Sequence, residues 1–286
     1  MGYVMKKKER QISDKEAIRQ LPSTRKELFF DLLKYRKMNL FALSSYTFMF
    51  FIPLVIDLIY FNFLESMSIA NEKYEYLFSL IFYSMLIMIP CMCIGFIGLG
   101  GAFHVSKKIV WQEGISLSND FFKGLKYNWK HSLINGLIFS ITLFGLIVGS
   151  SYLIIYQPLN NIIRGVGIGA LILVFILFGM IIPLNFTQSV YYKNNYIVTI
   201  KNSFSFLGLL NWKILLVFLM STGAIVTLSL FNLITLISGF LLFAIFNSIV
   251  IILYTLIAHT AFDKYINKEH YPEMVNKGLY KKDKED

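Results

Sequence analysis

Few side chains in this sequence are placed where they could carry chemistry. Asp57 stands four residues after Pro53 inside a long apolar run, and no other acidic or basic side chain lies so far inside one. A carboxyl in hydrocarbon surroundings can hold a proton or a cation. Asp57 also lies only about 9 Å from the expected end of its helix, where it would reach water, and this plainer role is the one expected of it. Cys91 and Cys93 form a C-x-C pair within another apolar run. Two thiolates are too few for a structural zinc site, so both are expected to be small buried residues. His104, His131, His259 and His270 fall at or beyond the ends of apolar runs, and no two have metal-ligand spacing. No Ser, His and acid set falls together inside a run, and the relay of buried acids and histidines expected of a proton pump is missing. The glycine runs "GFIGLGG" and "GVGIGA" neither follow a strand nor carry a Walker lysine, so a nucleotide loop is not expected. The expectation is a protein that is not an enzyme, with no cofactor, no metal and no nucleic-acid partner.

The other pattern with chemical content is a repeated aromatic and basic phrase. "FFDLLKY" at Phe29 to Tyr35 returns as "FFKGLKYNWKHSL" from Phe121 to Leu133. A third echo lies 83 positions further on, where Asn202, Phe204, Asn211, Trp212 and Lys213 match Asn119, Phe121, Asn128, Trp129 and Lys130. In the second copy Phe121, Leu125 and Trp129 are spaced i, i+4 and i+8 on one helical face, with Lys123, Lys126 and Lys130 elsewhere. The first copy carries a start signal, Thr24 and Glu27 spaced as a capping box before Leu28, Phe29, Leu32 and Leu33. Such helices can lie at a bilayer surface, rings in the headgroup boundary and lysines against anionic lipid. Two readings stand: elbow helices that only anchor the neighbouring hairpins, or a docking surface for a partner. The candidate residues for either are Phe29, Phe30, Phe121, Phe122, Lys126, Asn128, Trp129, Lys130, Asn211, Trp212 and Lys213.

The elements that must position these residues are membrane spans. Of 286 residues, 56% are hydrophobic and only 15% charged, against about a quarter charged in a soluble domain. The apolar residues also gather into runs of the roughly 20 residues needed to cross a bilayer. The sequence predicts an all-α polytopic membrane protein with six spans, near residues 39–63, 76–103, 133–156, 166–191, 214–236 and 238–259. The last two share one run free of Lys, Arg, Asp and Glu, from Ile214 to Phe262, with Asn232, Ser238 and Gly239 as the expected turn. Each copy of the phrase precedes an odd-numbered span, which gives three units of amphipathic helix plus hairpin. Around the membrane domain of residues 29–262 lie a basic N-terminal segment, residues 1–28, and a charged tail, residues 263–286.

Charge sets the expected orientation. Eleven Lys or Arg against five acids precede the first span, Lys107 to Lys130 has five against two, and Lys193 to Lys213 has three against none. On the alternate side Glu65, Glu72 and Glu75 outnumber Lys73. The positive-inside rule puts both termini and the basic loops in the cytoplasm. No small-residue cleavage pattern follows the basic start, so no secretory signal peptide is expected. Tyr60, Tyr74, Tyr76, Tyr152 and Tyr156 on the outer side read as an interfacial belt. Pro53, Pro90 and Pro183, each after an isoleucine, are expected to kink their spans, and Gly95 to allow close helix packing.

One stretch resembles a known family. "IPCMCIGFIGLGGAFHVSKKIVWQEGISLSNDFFKGLKYNWKHSL", Ile89 to Leu133, is similar to the central signature of the YesL-type bacterial membrane proteins, a domain of unknown function. "IPLNFTQSVYYKNNYIVTIKNSF", Ile182 to Phe204, is similar to a second feature of that family. Cys93 departs from the family's frequent threonine, and the charged N-terminal segment is longer than in the family. The resemblance implies an accessory subunit or assembly factor of an oligosaccharide importer of the ATP-binding cassette class, with permease and ATPase subunits as partners. The sequence lacks the permease's Glu-Ala-Ala loop. The alternative is a stand-alone facilitator or capture protein for a small solute.

Overall fold

The computed structural model describes residues 22–70, 76–155, 160–192, 194–229 and 233–280. Seven long elements succeed one another: α1 (Arg25–Tyr35), α2 (Lys37–Ala70), α3 (Leu77–Val110), α4 (Leu117–Ile155), α5 (Asn161–Tyr191), α6 (Tyr196–Ser229) and α7 (Leu233–Phe262). No strand occurs among the described residues. α2, α3, α4, α5 and α7 are each long and apolar enough to cross a membrane, and α6 passes the same test as a pair of segments, Tyr196–Leu210 and Trp212–Thr222, set at 99° to each other. The protein is therefore an all-α polytopic chain, as its apolar runs predict.

The helices exceed the spans read from the sequence. At 30 to 39 residues these five unbroken helices have contour lengths of roughly 45–60 Å, against about 30 Å of hydrocarbon. Their ends must project, and α3, α4, α5 and α7 gather such ends on the side where α1 lies. Pro53, Pro90 and Pro183 sit within continuous helices. Beside the third, Thr187 Oγ1 donates back to the carbonyls of Pro183 at 3.2 Å and Leu184 at 2.8 Å, which satisfies a hydroxyl buried within the helix.

The first copy of the repeated phrase forms a separate helix, and the third, Asn202 to Lys213, straddles the bend of α6. Thr24 caps α1 by accepting from the Glu27 amide at 3.2 Å. Glu27 returns its carboxylate to the amide and hydroxyl of Ser23, 2.9 and 3.0 Å, and these bonds hold its carboxyl below the usual range. α1 breaks from α2 at Arg36 alone. The boundary expected at residue 28 thus falls inside α1, whose Leu28 and Leu32 are buried. The second copy is the first third of the unbroken α4, so the expected separate amphipathic helix is corrected there. The expected common face is corrected too. Phe121 is fully buried against Tyr46 and Phe50, whereas Trp129 is 46% exposed. At about 100° per residue, eight residues drift about 80° off the starting face, enough to carry Trp129 out of the contact that buries Phe121.

Close approach of α3 and α4 explains the small residues. A Cβ on Gly101 would stand 2.9 Å from the Phe121 carbonyl oxygen, and one on Gly136 would stand 3.0 Å from the Cys93 backbone. Gly95 makes room in the same way for the Phe51 ring of α2. The turn from α3 to α4 ends on Gln112 in the left-handed region, φ 55°, with Glu113 N donating to Lys108 O at 3.0 Å. Lys108 and Asp120 close it with a 2.6 Å ion pair. α7 packs on α2, α3, α5 and α6, and Ser106 on α3 meets Thr255 on α7 at 2.8 Å.

Two further expectations are corrected. Ser238 and Gly239 lie inside α7 and form no turn, while Asn232 is outside the described residues. Backbone groups in hydrocarbon have no water to turn to, so the helix continues through Ser-Gly, and Ser238 Oγ bonds Thr235 O at 2.8 Å. The tail, drawn as its own segment from residue 263, is continuous with α7. α7 runs into a π-helical turn, Asp263–Asn267, then a short α8 (Lys268–His270) and a 3-10 turn, Pro272–Met274, and the segment up to Tyr280 folds back on α1 and the end of α3.

Candidate functional site

The projecting ends enclose a buried polar cluster built from five separate parts of the chain. His259 on the last turn of α7 is fully buried, and Asp263 comes one turn later at the start of the π-helical segment, a local distortion common at functional positions. Trp111, the residue closing α3, donates its indole Nε1–H to His259 Nε2 at 2.9 Å. An indole nitrogen is a donor only, so Nε2 must be unprotonated and the ring proton must sit on Nδ1. That atom faces Asp263 Oδ2 at 3.0 Å. Arg25 Nη2 reaches the same oxygen at 2.9 Å and, with Nδ1 carrying its proton, directs its hydrogen to the carboxylate.

Every segment of chain around this centre is tied to it. Arg25 Nη1 donates to Lys277 O at 2.9 Å. Asp263 also accepts from Asn267 Nδ2 at 2.8 Å and from the Asn276 amide at 3.2 Å, and Tyr192 OH donates to Asn267 Oδ1 at 2.6 Å. Burial pushes the Tyr192 phenol well above its ordinary range, with Asp263 adding to the shift. Lys277 pairs with Glu113 at 2.9 Å and stands 3.7 Å from the centre of the Trp111 ring. Lys107 approaches the same indole at 4.4 Å and donates to Val190 O at 3.0 Å. Tyr191 packs edge-on against Trp111 and His259, with centroids 5.2 and 5.0 Å away, and its buried hydroxyl has no partner. An indole between two ammonium groups suits the negative face of its ring.

Chemically this is a clamp. Both ring nitrogens of His259 are committed, Nε2 to the Trp111 indole and Nδ1 to the Asp263 carboxylate. Use of Nε2 as a base would require Trp111 to leave it. Among the described residues no three His, Cys, Asp or Glu side chains lie together as a metal site.

A second polar seam joins α4, α5 and α6. Tyr196 OH donates to Asn135 Oδ1 at 2.9 Å, Asn135 Nδ2 donates to Asn185 Oδ1 at 3.2 Å, and Gln188 Nε2 donates to Ser203 Oγ at 2.9 Å. The His131 ring leans on Tyr196 at 5.4 Å. Buried amide and hydroxyl pairs of this kind hold helices together where no aqueous competitor is available.

The sequence candidates lie outside the clamp. Phe30, Phe122, Trp129 and Trp212 are exposed by 58, 52, 46 and 62%, and Lys126, Lys130 and Lys213 are exposed beside them. Lys130 and Lys213 each stand over the neighbouring tryptophan, at 5.6 and 5.7 Å. Phe29 is partly buried against Phe30. Asn128, a candidate docking or interfacial residue, is buried and donates to Gly124 O at 3.0 Å. The side chain of Asn211 is outside the described set, as are Glu72, Lys73, Tyr74, Glu75, Tyr156 and Lys193. Sequence reading missed Arg25, Trp111 and Asp263 and placed His259 only at a span end. The available signal was the i, i+4 spacing of His259 and Asp263 at the close of a run without acids or lysines.

Asp57 departs from its expected setting. α2 continues to Ala70, about 20 Å beyond Asp57, so the residue is not near a helix end. It is 8% exposed, and its Oδ2 is buried without a partner. Burying a polar group unpaired costs about 1–3 kcal/mol. Asp57→Leu is therefore expected to leave the melting temperature in detergent unchanged or raised. A clear drop would reveal a partner for the carboxyl.

The fold and the clamp define a class: an all-α, multi-pass membrane protein whose helix ends are cross-tied on one side. No family model, curated protein or solved structure matches the chain.

Proposed function

We propose that this chain is a non-enzymatic integral membrane protein that works through a protein partner, as an accessory subunit or assembly factor of an oligosaccharide importer of the ATP-binding cassette class. What carries the docking part is a contrast. His259 and its neighbours are engaged with one another, while Phe30, Phe122, Lys126, Trp129 and Lys130 are held outward on α1 and α4. Exposed aromatic and cationic side chains on rigid helices are the side chains that dominate interface energies. The importer part draws its support from the resemblance of Ile89 to Leu133 to the YesL-type proteins. A bacterial plasma membrane draws its support from the same resemblance, and the placing of both termini in the cytoplasm from the alternation of lysine-rich segments.

The test is affinity purification in mild detergent with identification of companions. Trp129→Leu combined with Lys126→Glu is expected to abolish co-purification while the protein still accumulates in the membrane. Retained companions would leave the phrase as an anchor. Solute uptake by vesicles containing only the purified protein would replace the accessory reading with that of a facilitator.

A further inference from the structure

On α6 the exposed residues make a single stripe just past the bend. Trp212, Leu216, Leu219 and Met220 are spaced i, i+4, i+7 and i+8 and are exposed by 62, 48, 49 and 70%. The opposite side of the same turns is committed to the bundle, since Ile214, Val217 and Phe218 are buried and Phe218 packs on Phe175. With Leu215 the stripe forms a shallow, open groove of about 370 Å³ along the face of this one helix. The groove is open along one side and apolar throughout, apart from the indole nitrogen at its head.

What stands at that head decides the occupant. Lys213 is exposed, 5.7 Å from the centre of the Trp212 ring, and Lys201 is exposed on the segment before the bend. No Asp or Glu occurs anywhere between Lys193 and Phe262, so this stretch brings positive charge with no acid of its own to answer it. Tryptophan settles at the headgroup level of a bilayer, with its ring toward the chains and its N–H toward water. A cation and an indole at the headgroup, with an apolar channel below them on a helix apolar enough to cross the membrane, match one molecule in order along its length: anionic phosphate first, hydrocarbon second.

We propose that this groove is a binding site for an anionic phospholipid, with the phosphate at Lys213 and Trp212 and an acyl chain along Leu215, Leu216, Leu219 and Met220. A lipid held there covers a helix face that is exposed among the described residues. The site is separate from the docking face on α1 and α4, so either can fail without the other.

The experiment uses tryptophan quenching in the full chain carrying Trp129→Phe, which leaves Trp111, buried in the clamp, and Trp212 in the groove. The protein is reconstituted into phosphatidylcholine vesicles. Increasing fractions of either phosphatidylglycerol or phosphatidylcholine with brominated acyl chains are then added. One lysine near the surface favours an anionic headgroup by about 1 kcal/mol, so brominated phosphatidylglycerol is expected to quench at a roughly fivefold lower fraction than brominated phosphatidylcholine. Lys213→Gln should remove the difference, and Trp212→Phe should remove most of the quenching. Equal quenching by the two lipids means ordinary surrounding bilayer and overturns the proposal, as does a preference that survives Lys213→Gln. Weak quenching together with disulfide crosslinking of Leu216→Cys between two copies would assign the groove to a second copy of the chain and overturn it equally.

Discussion

Asp263→Leu is expected to lower the stability of the detergent-solubilised protein by roughly 3–5 kcal/mol, the range for removing one member of a buried ion pair. Arg25 and Asp263 approach at 2.9 Å with side chains only 13 and 12% exposed, so the guanidinium would be left with little water to replace its partner. The loss would not stop there. His259 Nδ1, Asn267 Nδ2 and the Asn276 amide all point at the same carboxylate, and each would be left without its acceptor. The double variant Arg25→Leu with Asp263→Leu separates the ion pair from the rest. Two leucines of similar bulk remove both charges together, and such replacements are often close to neutral. The double variant should therefore be more stable than the sum of the single losses by at least about 1 kcal/mol, read from thermal unfolding followed by size-exclusion retention. Additive losses would mean that Arg25 and Asp263 do not act as a pair.

The sequence made the spans legible and left the clamp hidden, for physical reasons that differ. Length and hydropathy suffice for a helix in hydrocarbon, because backbone hydrogen bonds must be satisfied within the segment. The same rule corrected the turn drawn at Ser238 and Gly239, where local turn chemistry loses to the cost of an opened backbone in the membrane. Thr24 was readable as a cap because the cap and the amide it serves are three residues apart. Arg25 and His259 are 234 positions apart and Trp111 and His259 are 148 apart. Nothing periodic connects them; they meet because four long helices overshoot the bilayer by enough to pack their ends together. Asn128 shows the limit inside a single helix. Its place in the repeated phrase made it a docking or interfacial candidate, yet it lies on the side of α4 turned to α3, where it bonds Gly124 O.

Gly278 holds the other large effect, because the return of the tail passes through one residue that no side chain fits. Its φ is +84°, in the left-handed region where a β-branched residue is strongly disfavoured, and an added Cβ would run into the carbonyl oxygen of Val110 and close on the Trp111 backbone. Backbone at the end of a packed helix cannot move aside as a flexible side chain would. Gly278→Val is thus expected to cost roughly 2 kcal/mol or more locally, and to free the tail rather than distort α3. Freeing it takes away Lys277 from both Glu113 and the Trp111 ring, and takes the Lys277 carbonyl from Arg25. Trp111, now 9% exposed, should become open to water. In a background of Trp129→Phe and Trp212→Phe the emission of the one remaining indole should shift to the red and become sensitive to iodide, and trypsin should cut at Lys277 at low dose. Gly114→Val is the control, since a Cβ there meets nothing within 4 Å. Unchanged emission and protection at Lys277 in the Gly278→Val protein would mean that the tail is held by contacts other than this close approach to the end of α3.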